Sequence, residues 1–197
     1  MNTPFRQIRA QFDDQTVTVY QAYRPSIAVP AASNGRFPAE FKRDRMTWIK
    51  PSYLWMMYRS GWASKPGQEH VLAIRLTRSG FEWALRNSAF SHFDQKTHQS
   101  QEQWKESLQA PVRIQWDPER DIHLNPLSYR SIQIGLSAEA VRLYCDDWIT
   151  DIEDITAAVH DRKYSLDSGN EDRARSLLPN EQPYPISEDL KTHLGMS

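Results

Sequence analysis

The sequence predicts an α+β fold, a single compact domain with a mixed or antiparallel sheet at its core. Three observations lead there. Runs rich in apolar and β-branched residues recur at positions 16–23, 71–76, 112–116 and 131–136. Segments of helical spacing lie between them, without the regular alternation of a doubly wound parallel sheet. The chain of 197 residues, 39% hydrophobic and 25% charged, can bury one sizeable core and is too apolar for disorder.

Thr16-Val17-Thr18-Val19-Tyr20-Gln21-Ala22-Tyr23 reads as a strand ended by Arg24-Pro25. Ser26 is placed to cap a short helix that Pro30 breaks and Asn34-Gly35 stops. Thr47-Trp48-Ile49 reads as a short strand. Pro51 as the first helical residue starts a helix over 52–59, closed by Gly61. Val71-Leu72-Ala73-Ile74-Arg75-Leu76 is a strand, and Ser79-Gly80 turns into a helix over 81–88. Positions 95–103 read as a loop or an exposed helix start, followed by a short helix with Trp104 and Leu108. Val112-Arg113-Ile114-Gln115-Trp116 alternates, as a strand with one wet face does. Asp117-Pro118-Glu119-Arg120 reads as a turn, and Ser131-Ile132-Gln133-Ile134-Gly135-Leu136 as the next strand. Ser137 caps a helix over 138–148, and the alternation of 149–156 favours a final strand over continued helix. The core domain is expected over residues 5–160. A polar C-terminal extension, 161–197, packs on it.

The net charge of -1 removes any whole-molecule case for nucleic-acid binding, but the charge is uneven. Positions 36–65 carry seven Lys/Arg against Glu40 and Asp44; positions 139–154 carry six acids against Arg142. The one cysteine, Cys145, excludes an intrachain disulfide and any cysteine metal cluster. No His pair has metal-ligand spacing, so no metal is expected. The segment 1–10 is polar and basic, unlike a signal peptide, and no window suits a membrane span; a cytoplasmic location and no membrane partner follow by elimination. There is no Gly-rich phosphate loop and no Gly-x-Ser-x-Gly elbow.

The segment Arg45–Trp62 concentrates the functional signal: Trp48, Tyr53, Trp55, Tyr58 and Trp62 are interleaved with Arg45, Lys50 and Arg59. Trp, Tyr and Arg together are the vocabulary of stacking and anion binding. The structural alternative is that the Trp residues fill the core and Arg59 forms an ordinary ion pair.

Long motifs then identify a family. Tyr20-Gln21-Ala22-Tyr23, Arg45-Met46-Thr47-Trp48-Ile49-Lys50-Pro51-Ser52, Leu54-Trp55-Met56-Met57-Tyr58-Arg59-Ser60-Gly61-Trp62, Gln115-Trp116-Asp117-Pro118-Glu119-Arg120 and Tyr129-Arg130-Ser131-Ile132-Gln133-Ile134-Gly135-Leu136 resemble the domain-of-unknown-function 4291 family over roughly residues 5–190. That family implies no activity. The order of elements is also similar, more distantly, to the ADP-ribosyltransferase fold. This second resemblance implies NAD as a substrate and a nucleic acid, nucleotide or protein as the acceptor. It implies an Arg or His on the first core strand, a hydroxyl on the next, and an acid or Gln on a late strand. The matching positions are Arg24 or Tyr23, then Thr47 or Ser52, then Gln133 or Glu153. The family's His-containing motif is absent, as is any Glu-x-Glu or Gln-x-Glu pair, so the catalytic acid and the acceptor stay open.

On this reading Arg24, Arg45, Lys50, Arg59 and Arg130 are anion contacts. Tyr23, Trp48 and Tyr53 are stacking surfaces, and Ser52 fixes the ribose. Gln133, Glu119 and Glu153 are the catalytic candidates, with Glu119 as a base beside Arg120. The competing view of 117–120 is a rigid turn with an exposed ion pair, and that of Gln133 a satisfied strand residue beside Gly135. The alternative function is a non-enzymatic module that stacks single-stranded nucleic acid or a nucleotide on Trp48, Tyr53 and Trp62, with Arg45, Lys50 and Arg59 on the phosphates. Oligomeric state is not legible.

Overall fold

The computed structural model describes residues 3–95 and 97–196. It is an α+β fold with mixed and antiparallel sheets. Along the chain run β1 (Arg9–Ala10), β2 (Thr16–Tyr23), α1 (Pro25–Asn34), β3 (Thr47–Ile49), α2 (Tyr53–Ser60), β4 (His70–Thr77), α3 (Arg78–Arg86), β5 (Ser88–Phe90) and α4 (Gln101–Ser107). There follow β6 (Val112–Arg120), β7 (Pro126–Leu136), α5 (Glu139–Leu143), a π-turn (Tyr144–Trp148), β8 (Ile149–Asp154), α6 (Thr156–Asp167), α7 (Glu171–Ser176), β9 (Gln182–Pro183) and α8 (Glu188–His193).

Two sheets carry the fold. The three-stranded sheet β2–β4–β8 is antiparallel. The four-stranded sheet β3–β7–β6–β5 is antiparallel except where β5 lies parallel to β6. A seam joins them: Tyr20 of β2 and Lys50, just after β3, form an isolated bridge, with Tyr20 N–H donating to Lys50 C=O at 2.7 Å. Each sheet turns one face into a common core. Val17, Val19, Leu72, Ile74 and Ile152 come from the first sheet, and Ile49, Val112, Ile114, Ile132 and Ile134 from the second. Helices α1 and α3 close this core with Ile27, Ala28, Ala31, Phe81, Ala84 and Leu85. On the other face of the first sheet, Tyr20 and Val71 pack against Tyr53, Met56 and Met57 of α2, with Trp62 and Val159 of α6. The opposite face of the second sheet is polar. Strict alternation places Trp48, Arg113, Gln115, Asp117, Ser131 and Gln133 there, because directly opposed residues share a face.

Several boundaries differ from the sequence expectation. Helix α1 continues through Pro30, losing one backbone bond while Ile27, Ala28 and Ala31 hold it against the sheet. Its first residue is Pro25, not a residue capped by Ser26. Ser52, not Pro51, sets the start of α2: it is the N-cap, and its hydroxyl accepts from Trp55 N–H at 3.2 Å. The helix ends, as expected, at Gly61 in the left-handed conformation. The expected turn at 117–120 is the end of β6, with a bulge at Glu119. Pro118 is tolerated because β5 covers only Val112 to Ile114, so no neighbour needs its missing N–H on that side. The reversal comes later, where Asp121 Oδ1 accepts from His123 N–H and Asn125 N–H. Ser88 opens β5 instead of ending α3. The α-helix after Ser137 gives way to the π-turn at Tyr144, and 149–154 is the strand its alternation indicated. Lys96, in the loop expected over 95–103, lies outside the described residues. Beyond residue 160 the chain returns to the core: β9 pairs with β1, and Tyr184, Leu190 and Leu194 are buried. Among the described residues no helix is long and apolar enough to cross a membrane.

Gly80 shows packing overriding propensity. It was read as part of a turn but lies in the first turn of α3, and a Cβ there would sit 2.3 Å from Trp148 Cγ. Gly→Ala inside a helix ordinarily stabilises by about 1 kcal/mol. Gly80→Ala is expected to destabilise instead, by about 1–3 kcal/mol, as overpacking does. A urea midpoint equal to or above that of the wild type would contradict the close packing of Trp148 on α3.

Candidate functional site

Lys50 is the most constrained side chain near the seam. It is 1% exposed, and its ammonium lies 3.2 Å from Asp117 Oδ2, 3.4 Å from the Ser131 carbonyl and 4.0 Å from the centre of the Trp55 ring. Burial pulls its pKa down to about 8, against the opposing pull of Asp117 and Glu119. Asp117 is also held from the side, since Gln115 Nε2 donates to its other oxygen at 2.7 Å. Lys50 therefore braces the polar face of the second sheet through Asp117.

Beyond the Tyr20–Lys50 bridge, β2 and β3 separate. Gln21 spans the gap, donating through Nε2 to Thr47 Oγ1 at 3.0 Å and to the Trp48 carbonyl at 2.9 Å, while its Oε1 accepts from Tyr144 OH at 2.7 Å. A side-chain amide thus replaces the missing ladder bond. The divergence opens a cleft of about 320 Å³ lined by Tyr23, Arg45, Trp48, Lys50, Arg59 and Gln133, among others. A second hollow, of about 330 Å³, shares Tyr23, Arg45, Thr47 and Gly67 with it and adds Arg24 and Lys42. The Trp48 indole lies on Gly135, its cross-strand partner: a Cβ there would meet Trp48 ring atoms at 2.9–3.0 Å and Met46 Sδ at 2.7 Å. The close approach that a strand glycine permits is taken by Trp48, which is thereby fixed as one wall of the cleft. The Tyr23 hydroxyl lies 3.3 Å from Thr47 Oγ1, and burial raises its pKa to about 12, so it stays protonated.

The cations at the mouth are unpaired. Among the described residues, the side chains of Arg24, Arg36, Lys42, Arg45 and Lys105 make no hydrogen bond or ion pair, and all but Lys105 lie between positions 24 and 45. Arg59 donates to Gln68 Oε1 at 3.1 Å, another lining residue, and among the described residues has no acid partner. The acids of 139–154 do not neutralise this mouth: Asp146 pairs with Arg43, Asp147 with Arg142, Asp151 with Arg75 and Asp154 with His70.

The remaining sequence candidates lie elsewhere. Ser52 donates to Glu119 Oε1 at 2.7 Å while it caps α2, and Glu119, 5% exposed, also accepts from Arg120 N–H at 2.8 Å. The bulge turns Glu119 inward to support the helix start. Tyr53, 1% exposed, takes a bond from Arg162 at 3.0 Å and packs edge-on to Tyr20 and Trp62. Glu153 is exposed on the edge strand β8, outside the cleft lining. Arg130 donates to the Trp116 carbonyl at 2.8 Å and lines a different cleft on the same sheet. Gln21 and Asp117 were missed as site residues, whereas Thr47, a candidate hydroxyl position, lines the cleft. A Gln between apolar neighbours on a strand was the available signal for Gln21; Asp117 was hidden by the turn reading. Glu181 was missed for want of any signal in the polar tail. Its carboxylate accepts from Tyr53 N–H at 2.6 Å, and burial, with Glu119 nearby, raises its pKa to about 8. Among the described residues no group of three or more His, Cys, Asp or Glu could hold a metal ion.

The polar face, the seam and the cleft all fall within residues 7–184, the span matched by the family model described as domain of unknown function (DUF4291). The chain belongs to the DUF4291 family. No curated protein matches it. Its DUF4291 region therefore runs from just before β1 to just after β9 and takes in every residue of the cleft.

Removing one member of the Lys50–Asp117 pair leaves a buried charge alone. Asp117→Ala is expected to cost about 3–5 kcal/mol, and Lys50→Met less, because Met fills similar volume without a charge. Equal urea midpoints for the two variants would rule this out. Glu181 has a folded pKa above its unfolded value, so its contribution is complete below pH 4.5 and is lost as pH rises through about 8. Plotted against pH over that window, the stability of Glu181→Gln should fall less steeply than that of the wild type. Parallel curves would show that the carboxyl is not enclosed.

Proposed function

We propose that the cleft binds NAD and that the protein transfers ADP-ribose from it to a nucleophilic acceptor. The observation that carries this reading is the set of unpaired cations around a fixed indole. Arg24, Lys42 and Arg45 line two connected hollows beside Trp48, and Arg59 stands across from them. A dinucleotide brings a pyrophosphate for such cations and flat rings for the indole. Positive charge left unpaired at a concave surface favours an anion, and an enclosed site strengthens the attraction.

The reaction fits the polar floor. The bond between nicotinamide and ribose C1′ breaks, its electron pair leaving with the now neutral nicotinamide. The ribose passes through an oxocarbenium-like state, as in glycoside hydrolysis. The acceptor's lone pair then bonds C1′, and its proton passes to a carboxylate. Gln133 lines the cleft and offers an amide oxygen to the cationic sugar. Asp117, on the same face and paired with Lys50, is the carboxylate nearest to that floor. Glu119 supports this floor through Ser52 instead of acting as the base.

The alternative, a single-stranded nucleic-acid module, draws on the same cations. It loses two of its three stacking rings, since Tyr53 and Trp62 are 1% and 5% exposed. Affinity falling steeply with salt would mark it.

Titration with NAD, followed by quenching of Trp fluorescence, is expected to saturate. Arg45→Glu should weaken binding at least tenfold, as should Trp48→Ala, while Lys105→Glu, an unpaired cation outside the cleft, should leave it unchanged. Binding that ignores both Arg45 and Trp48, or the absence of saturation up to millimolar NAD, would overturn the reading.

A further inference from the structure

Another cleft, of about 450 Å³, lies along the edge of β6 where β5 ends, lined by Ile114, Gln115 and Trp116 of β6 and by residues 90–95. Its walls are aromatic: Phe5, Phe90, Phe93 and Trp116 line it, and Phe5 is 52% exposed. Large apolar side chains left open beside a concavity mark binding surfaces more often than chance exposure. Two guanidinium groups enter among these rings. Arg130 stands 5.4 Å from the Phe5 ring centre and donates to the Trp116 carbonyl; among the described residues it has no acid partner. Arg6 is paired with Asp94 and donates to the Gly195 carbonyl at 3.1 Å, yet its Nε is buried without a hydrogen-bond partner. A buried donor with no acceptor is rare in a native structure.

The floor adds hydrogen-bonding specificity. Gln115 donates one N–H to Asp117 and accepts from Ser91 Oγ at 3.4 Å. That leaves the amide one further N–H and one lone pair. An adjacent donor and acceptor on one planar group match the edge of a nucleobase. Aromatic walls match its faces, and the guanidinium of Arg130 matches a phosphate. A simple aromatic acid would use the rings and Arg130 but not the amide.

We propose that this cleft is a second binding site, for a nucleoside monophosphate or a nucleotide unit of that kind. Gln115 and Gln133 are directly paired across β6 and β7. Neighbouring strands lie about 5 Å apart, so ligands in the two clefts meet over one Gln pair. The site is thereby placed to hold an acceptor; that role rests on the NAD reading above, whereas the binding itself does not.

The test is calorimetric titration of the full chain with AMP, with benzoate as a second probe. Saturable AMP binding is expected, with benzoate at least tenfold weaker. Arg130→Ala should reduce AMP affinity at least tenfold, and Phe5→Ala several-fold; Phe5 is exposed, so its variant keeps the fold if Arg130→Ala does not. Arg45→Glu, which disables the first cleft, should leave AMP binding unchanged. Loss of AMP binding in Arg45→Glu would place AMP in the first cleft and overturn the proposal. Unchanged affinity in Phe5→Ala and Arg130→Ala, benzoate binding as tightly as AMP, or no saturation would each do the same. Failure of NAD to bind, with AMP binding still sensitive to Arg130, would sink the first reading and leave this one standing.

Discussion

The buried ammonium of Lys50 is the interaction on which the rest of this architecture depends. Its backbone bridges Tyr20 and so joins the two sheets, while its side chain reaches Asp117 on the polar face of the second sheet. A desolvated cation is costly, and here the cost is offset from several directions at once. Asp117 supplies the charge, the Ser131 carbonyl a hydrogen bond and the Trp55 ring a cation–π contact. Because these partners come from β6, β7 and α2, the residue fixes the angle at which the sheets leave the seam. The cleft is the space that this angle opens.

From that seam the division of labour between faces follows. The apolar residues of both sheets meet in one core, so the alternate residues of the second sheet are left facing outward. Arg113, Gln115, Asp117, Ser131 and Gln133 are too polar to be covered by a helix without losing hydrogen bonds. They form instead a polar floor in which Ser131 is buried, Gln133 lines one cleft and Gln115 the other. Positive charge gathers at one mouth because the acids of the later chain are spent on Arg43, Arg75, Arg142 and His70. What remains around Trp48 is a net attraction for an anion, with Arg24, Lys42 and Arg45 set against Glu40 in the lining of the second hollow.

Behind the floor, a chain of contacts ties the late part of the sequence to the early part. Glu119 receives the Ser52 hydroxyl, Ser52 caps α2, and Glu181 receives the next backbone N–H at Tyr53. Glu181 arrives there through the β1–β9 pairing, so segments far apart in sequence share the task of fixing the segment that carries Lys50 and Trp55.

By itself the sequence determined the fold class, most strands and the segment around which a site would form. Those follow from local causes: period-two alternation at 112–116, β-branched runs at 71–76, and Gly61 at the end of one helix. It also determined the family, through long motifs spread over the chain. Only the tertiary structure decided what the aromatic and basic residues do. Trp48 lines a cleft because Gly135 lies across from it, whereas Tyr53 and Trp62, identical in character, are core because α2 packs over Tyr20. Glu119 supports a helix because a bulge turns it inward, and Asp117, one strand step away, faces the polar floor. Stacking ring or core ring, base or brace, are distinctions of direction. Direction depends on which strand lies opposite, and strand pairing is non-local, so no window of sequence contains it.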